Sequence, residues 1–256
     1  MSFIDAFILG IVEGVSEFLP ISSTGHLVLA SSLLNIANSD FLKTFEIVIQ
    51  LGAILAVVVL YWRSFFNIEL LKRLIVGFIP TGIIGLALYK IVKTYLLGNN
   101  AVVLWALALG GVALIAFELW HKEHEDATSD VLNISYRQAA LVGLFQAIAI
   151  IPGVSRSAAT IVGGLLLGIK RATIVEFSFL LAVPTMVAAT GLDLVKSAPL
   201  FSGADISALA IGLVTSFIVA LVAIRWLLAY IRTHSFIPFG IYRIVVALLF
   251  FLVIVR

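Results

Sequence analysis

Residues Pro20-Ile21-Ser22-Ser23-Thr24-Gly25-His26 interrupt an apolar stretch running from about 3 to 36, and Pro152-Gly153-Val154-Ser155-Arg156-Ser157 interrupt a second one from about 135 to 169. Proline has no N–H and its ring clashes with the preceding turn, so a helix does not run undisturbed through such a site. Each half is then shorter than the ~20 residues a helix needs to cross about 30 Å of hydrocarbon. The expectation is that each region enters the bilayer, turns at its break and leaves on the same side. These are two re-entrant helix pairs, with irregular backbone buried in protein where membrane depth tolerates it.

Outward from the breaks, six uninterrupted apolar stretches have spanning length: about 44–62, 72–93, 101–120, 173–196, 207–231 and 239–255. The 256 residues are 62% hydrophobic and only 12% charged, with mean hydropathy +1.19, against roughly 25% charged in a soluble domain. Water cannot be the main solvent of this chain. The reading is an all-α polytopic membrane protein forming one membrane domain, 1–256. A net charge of +2 without any basic run excludes nucleic acid as a partner. The absence of cysteine excludes disulfides, thiol nucleophiles and thiolate-ligated metals. The first twenty residues carry Asp5, Glu13 and Glu17 and no Lys or Arg, the wrong pattern for a cleaved signal peptide, so the mature chain is expected to start near Met1.

The breaks also resemble each other. Gly10-Ile11-Val12-Glu13 lines up with Gly143-Leu144-Phe145-Gln146, and Pro20 with Pro152 after a one-residue gap, an offset of about 132 residues. Repeat one covers about 1–120 and repeat two about 133–256. Each holds one re-entrant pair and three full spans, an odd number of crossings, so the second copy starts from the opposite face and the repeats are inverted. The broken helices of such repeats meet near the midplane, which is where the site is expected. Arg63, Lys72, Arg73, Lys122, Arg137, Lys170, Arg171 and Arg232 collect on one face, and Lys43, Lys93, Lys196 and Arg256 on the other. The positive-inside tendency makes the first face cytoplasmic and puts both termini outside, although the acidic loop 121–135 blurs the bias.

Glu13 and Glu17 are four apart and share one face of a helix otherwise built of Ile, Val, Leu and Phe. A charge at the bilayer centre costs at least ~2.5–3.5 kcal/mol. Two carboxylates ~6 Å apart repel by about 3 kcal/mol at an effective dielectric of 20, enough to call for a proton, a metal cation or an arginine. Wetted acids near the interface are the plain alternative. Ser22, Ser23 and Thr24 supply hydroxyls, Gly25 a permissive backbone, and His26 the only histidine expected within the membrane. A helix starting at Ser22 or Ser23 would turn its free N–H groups toward an anion such as phosphate, although membrane Ser and Thr more often bond their own backbone or a neighbouring helix. Arg156, between Ser155 and Ser157, presents a planar fork that suits phosphate oxygens. Its alternative is a structural ion pair with Glu13 or Glu17. Gln146, the repeat partner of Glu13, would add a neutral hydrogen bond at the same depth.

These motifs resemble the undecaprenyl-diphosphate phosphatases, also called bacitracin-resistance proteins: GIVEGVSEFLPISSTGHL at 10–27 and PGVSRSAAT at 152–160. The resemblance covers essentially the whole chain. It implies hydrolysis of undecaprenyl diphosphate to undecaprenyl phosphate and phosphate, recycling the carrier lipid for peptidoglycan, with bacitracin resistance as a result. It also implies a multi-pass protein of the bacterial plasma (inner) membrane whose site opens to the outer, periplasmic face, with a homodimer as a candidate assembly. The functional set it implies is Glu13, Glu17, Ser23 and His26 for catalysis, with Ser22, Thr24, Ser155, Arg156, Ser157 and Thr160 around the phosphates. Glu13 and Glu17 would hold a divalent cation, Mg2+ or Ca2+. Attack by Ser23, attack by His26, and attack by water with His26 as base remain three alternatives, of which Ser23 is preferred. One departure is Ala158 where the family usually has glycine, a methyl group that could crowd the backbone near phosphate.

Other features are expected to be structural. Gly10 with Gly14, and Gly164 with Gly168, read as close helix packing. His121, Glu123, His124 and Glu125 read as a solvated loop rather than a metal cluster, and Glu46, Glu118, Glu176 and Asp193 as interfacial. No P-loop or H-E-x-x-H motif is present. Inverted repeats with broken helices also build secondary transporters, so a transporter or polyprenyl-phosphate flippase is the competing function.

Overall fold

The computed structural model describes residues 1–96, 98–196 and 203–254. Ten α-helices account for most of them: α1 Phe3–Ser16, α2 Ser23–Leu33, α3 Asp40–Leu60, α4 Ile68–Ile91, α5 Asn100–Trp120, α6 Tyr136–Ala147, α7 Arg156–Leu166, α8 Arg171–Lys196, α9 Gly203–Tyr230 and α10 Ile237–Ile254. Among the described residues there is no named strand, only an isolated bridge between Thr128 and Ile169.

The helices begin where short polar side chains can take the free N–H groups of a first turn. Ser2 and Ser135 build capping boxes at the starts of α1 and α6, with Asp5 and Gln138 as reciprocal partners. Ser39, Asn67 and Asn99 cap α3, α4 and α5. At ~1.5 Å per residue, α1, α2, α6 and α7 extend only about 16–21 Å, too short to cross. Helices α3, α4, α5, Arg171–Gly191 of α8 and Ile206–Tyr230 of α9 are long and apolar enough to span.

The expected sixth span, 239–255, is the exception. Its helix α10 has 18 residues, about 27 Å, and its apolar part, Ile237–Leu252, falls below spanning length. Five helices therefore meet the length and hydropathy of a span among the described residues, not six. The end expected at 255 lies outside those residues.

The outer surface is apolar: Leu86, Trp105, Leu119 and Leu248 are all more than half exposed, which only a hydrocarbon solvent makes favourable. Helix α1 lies along α9, α6 along α4, α5 against α10, and α3 against both α8 and α9. The close approach of α1 needs Gly10 and Gly14, where an added Cβ would meet the carbonyl oxygens of Gly212 and Ser216 at 2.9 and 2.7 Å. Gly164 likewise admits Ile174. Gly168 serves a different purpose from the packing expected of it. No atom lies within 4 Å of its would-be Cβ and its φ is +72°, because it turns the chain just after α7, where Ile169 N–H bonds back to Gly164 O at 3.0 Å.

Candidate active site

Both breaks come to one cavity of about 130 Å³. Glu17, Ser22, Ser23 and Thr24 line it from the first break, and Gly153, Ser155 and Arg156 from the second. Gln50 of α3, Ala149 and Met186 of α8 close it. Helix α1 ends at Ser16, the chain turns through 17–21, and α2 starts at Ser23 with Ser22 as its cap. The second break repeats this with Ser155 as the cap of α7. Each cap serine sits at positive φ, 72° for Ser22 and 77° for Ser155. Each hydroxyl accepts the N–H three residues on, from Gly25 at 3.4 Å and from Ala158 at 3.2 Å. Two helix N-termini, with the partial positive charge of their aligned peptides, therefore start at the cavity wall.

Ser23 and Arg156 meet on Glu17. The Ser23 hydroxyl donates to Glu17 Oε2 at 2.6 Å, and Arg156 Nη2 donates to Oε1 at 2.8 Å. Arg156 Nη1 donates to Ser178 O at 3.0 Å, and its guanidinium lies over the Phe18 ring, which packs edge-on against Phe179. Its Nε–H is buried without a partner. An unused donor beside two helix N-termini is suited to an anionic oxygen.

Glu13 is fully buried, does not line the cavity, and neither of its oxygens has a donor against it. Its acidic neighbours are Glu17 and Glu46, with Arg156 as the nearby cation. His26 stands apart from the cavity. Its Nδ1 pairs with Ser22 O at 2.7 Å and its Nε2 with the Tyr242 hydroxyl at 2.9 Å. The carbonyl can only accept, so Nδ1 carries the proton and Nε2 accepts from Tyr242.

Ser157 and Thr160, expected around the phosphates, are fully buried and brace the break instead of lining the cavity. Ser157 donates to Leu19 O at 2.7 Å across the two breaks. Thr160 pairs with Ser178 at 2.6 Å. Ala158 is buried and does not line the cavity. Gln146 also lies outside the cavity wall and donates to Thr81 and Thr185 at 2.9 and 3.0 Å.

In the loop after α5, as elsewhere among the described residues, no group of three His, Asp or Glu side chains converges. His121 stacks on Phe117, and Glu123 accepts the Arg171 N–H. Glu118 pairs with Arg171 at 2.6 Å, and Glu46 and Glu176 are partly buried. The Asp193 side chain lies outside the described residues. Sequence reasoning passed over Gln50, Ser178, Tyr242 and Arg243. Only Arg243 carried a signal, since an arginine inside the apolar run 237–254 must find acceptors at depth.

The family model described as Bacitracin resistance protein BacA matches residues 6–249. The chain is 53% identical over 252 residues to a protein named undecaprenyl-diphosphatase from Sulfurihydrogenibium, covering 98% of this chain and 99% of that one. It is 53% identical over 246 residues to a protein of the same name from Aquifex aeolicus, covering 96% of each. A third of that name, from Persephonella marina, is 51% identical over 253 residues, covering 98% of this chain and 99% of the relative. Because the match runs through both breaks and every helix between them, the chain belongs to the bacitracin resistance protein BacA family.

Proposed function

We propose that the protein is an undecaprenyl-diphosphate phosphatase, a hydrolase that releases phosphate from undecaprenyl diphosphate and returns undecaprenyl phosphate to peptidoglycan synthesis. Its family and the names of its near-identical-length relatives support the substrate. Bacitracin resistance would follow from a larger supply of recycled carrier. The single observation that carries the chemistry is the chain of contacts from Ser23 through Glu17 to Arg156 at the wall of one cavity.

In this reading the terminal phosphate sits between the starts of α2 and α7, where N–H groups and the free Arg156 Nε–H neutralise its oxygens. Ser23 attacks phosphorus and its proton passes to Glu17 Oε2. The bond to the bridging oxygen breaks and undecaprenyl phosphate leaves. Water then attacks the phosphoserine, its oxygen and both protons leaving in dihydrogen phosphate, while the proton held on Glu17 returns to Ser23 Oγ and restores both groups. His26 orients Ser22 and α2, because both of its nitrogens are already engaged. A divalent cation fits Glu13, whose two buried oxygens lack any donor. With Glu17 it offers the hard oxygen ligands that Mg2+ or Ca2+ prefers, and the cation would supply charge neutralisation.

The same reading takes 1–120 and 133–256 as inverted repeats, α1–α2 and α6–α7 as re-entrant pairs, and α10, whose 18 residues reach about 27 Å of the ~30 Å of hydrocarbon, as a short sixth crossing. The matched pairings of α1 with α9 and α6 with α4, and the matched serine caps, support it. The positive-inside tendency then opens the cavity to the outer face of the plasma membrane.

The test is phosphate release from undecaprenyl diphosphate by purified protein in detergent, with and without EDTA, beside Glu17→Ala and Arg156→Ala. Release that needs a cation and is lost in both variants is the expected result. No release by the intact, folded protein would overturn the assignment and favour the transporter or flippase reading.

A further inference from the structure

We propose that Arg243 of α10 is a positioning residue that holds the two breaks in register. The inference rests on the phosphatase reading. Arg243 is fully buried, and none of the ion pairs among the described residues includes it. Guanidinium has five N–H donors in a fixed fork, and here five hydrogen bonds run to main-chain carbonyls. Nη1 donates to Pro20 O at 3.3 Å and to Val154 O at 2.9 Å. Nη2 donates to Gly153 O at 3.0 Å and to Ala106 O at 2.9 Å, and Nε to Leu107 O at 3.3 Å.

Three of those acceptors lie in the non-helical turns just ahead of the cap residues Ser22 and Ser155. The other two anchor the guanidinium to α5. One planar group thus measures the distance between Pro20, which leads into Ser23, and Gly153–Val154, which lead into Arg156. A buried cation costs several kcal/mol to desolvate, and filling a helix crossing requires no charge. The α5 surface is cut to admit it, since a Cβ on Gly110 would collide with Nη2 and Cζ of Arg243. Lysine cannot replace it, because an ammonium has three donors at one point and cannot reach carbonyls on three segments.

A shift of the breaks against each other by about 1 Å misplaces the attacking group relative to the phosphate, an error that costs on the order of 100-fold in rate. The experiment is steady-state hydrolysis of undecaprenyl diphosphate by Arg243→Lys, Gly110→Ala and the double variant. Each is normalised to monodisperse folded protein from size-exclusion chromatography. Arg243→Lys is expected to lower kcat about 10- to 100-fold with KM within about threefold. Gly110→Ala keeps the arginine but displaces its guanidinium, so it should reproduce the kcat loss. The double variant should be no worse than the more severe single change, because both break one device.

A residue needed only for stability would lower the yield of folded protein and leave kcat per folded molecule intact. That outcome in Arg243→Lys, or in Gly110→Ala where the lysine variant does not fold, overturns the proposal. Additive losses in the double variant also overturn it. Failure of the wild type to release phosphate would instead remove the phosphatase reading, so the two failures are distinguishable.

Discussion

The two breaks share a backbone conformation and carry different side chains. Ser22 and Ser155 occupy the same positive-φ conformation, and each caps a short helix that starts at the cavity. Ahead of the first cap stand Glu13 and Glu17; ahead of the second stands Gln146 and no acid. After the first cap comes Ser23, a neutral hydroxyl; after the second comes Arg156, a fixed cation. Gln146 spends its amide N–H groups on Thr81 and Thr185, whereas both Glu13 oxygens are left bare. Two matching helix starts can therefore share a main-chain conformation and a serine cap while their other side chains differ. The asymmetry, acid and hydroxyl on one side and cation on the other, is what the proposed phosphoryl transfer would use.

The sharpest way to break the comparison is to remove what is unique to the first break. Ser23→Ala is expected to lower phosphate release by ~10³-fold or more, and radiolabelled substrate should leave no acid-stable phosphoprotein. Retention of a tenth of wild-type activity would transfer the attack to water. On the second break, Arg156→Ala leaves Glu17 buried beside Ser23 without its cation. The expected cost is about 3–5 kcal/mol of stability, read as a lower thermal midpoint in detergent, together with lost activity. Glu17→Gln in that background should restore much of the stability and none of the turnover.

Exchanging the side chains of Glu13 and Gln146 is a subtler test. Glu13→Gln should raise the divalent-cation concentration needed for half-maximal activity by about 10-fold or more, since in the proposed site it removes a charged ligand. Gln146→Glu should leave that concentration unchanged and cost about 1–3 kcal/mol, because it loses the donors that Thr81 and Thr185 accept. Equal cation requirements in wild type and Glu13→Gln would remove Glu13 from any metal site. The smallest effect belongs to what the breaks share. Ser155→Ala gives up one cap, about 1 kcal/mol, and should change activity less than Arg156→Lys does. A loss as large as that of the lysine variant would show that the Ser155 hydroxyl touches substrate as well as backbone.

Much of this protein was legible in one dimension. Apolar run length against bilayer thickness located the helices, because in hydrocarbon every backbone group must be bonded within its own segment. The two prolines located the breaks, and the spacing of Glu13 and Glu17 put both acids on one helix face. The resemblance of 10–27 and 152–160 to known phosphatases picked out the candidate residues. It could not assign them. Ser157 and Thr160 look like phosphate ligands in a serine- and threonine-rich motif, yet they are turned into the protein and spent on Leu19 O and Ser178. Position in a motif does not specify which way a side chain points.

What only the tertiary structure decided is which groups meet. Ser23 and Arg156 are far apart in the chain and converge on the two oxygens of Glu17, while Glu13, one turn away, receives neither. His26 turns from the cavity to Tyr242, and Arg243, a lone cation in an apolar helix, gathers carbonyls from both breaks and from α5. The physical reason is range. Hydropathy and helix periodicity act over neighbouring residues and leave their mark in local order along the chain. A hydrogen bond at 2.7–3.3 Å between segments more than a hundred residues apart depends on how whole helices cross.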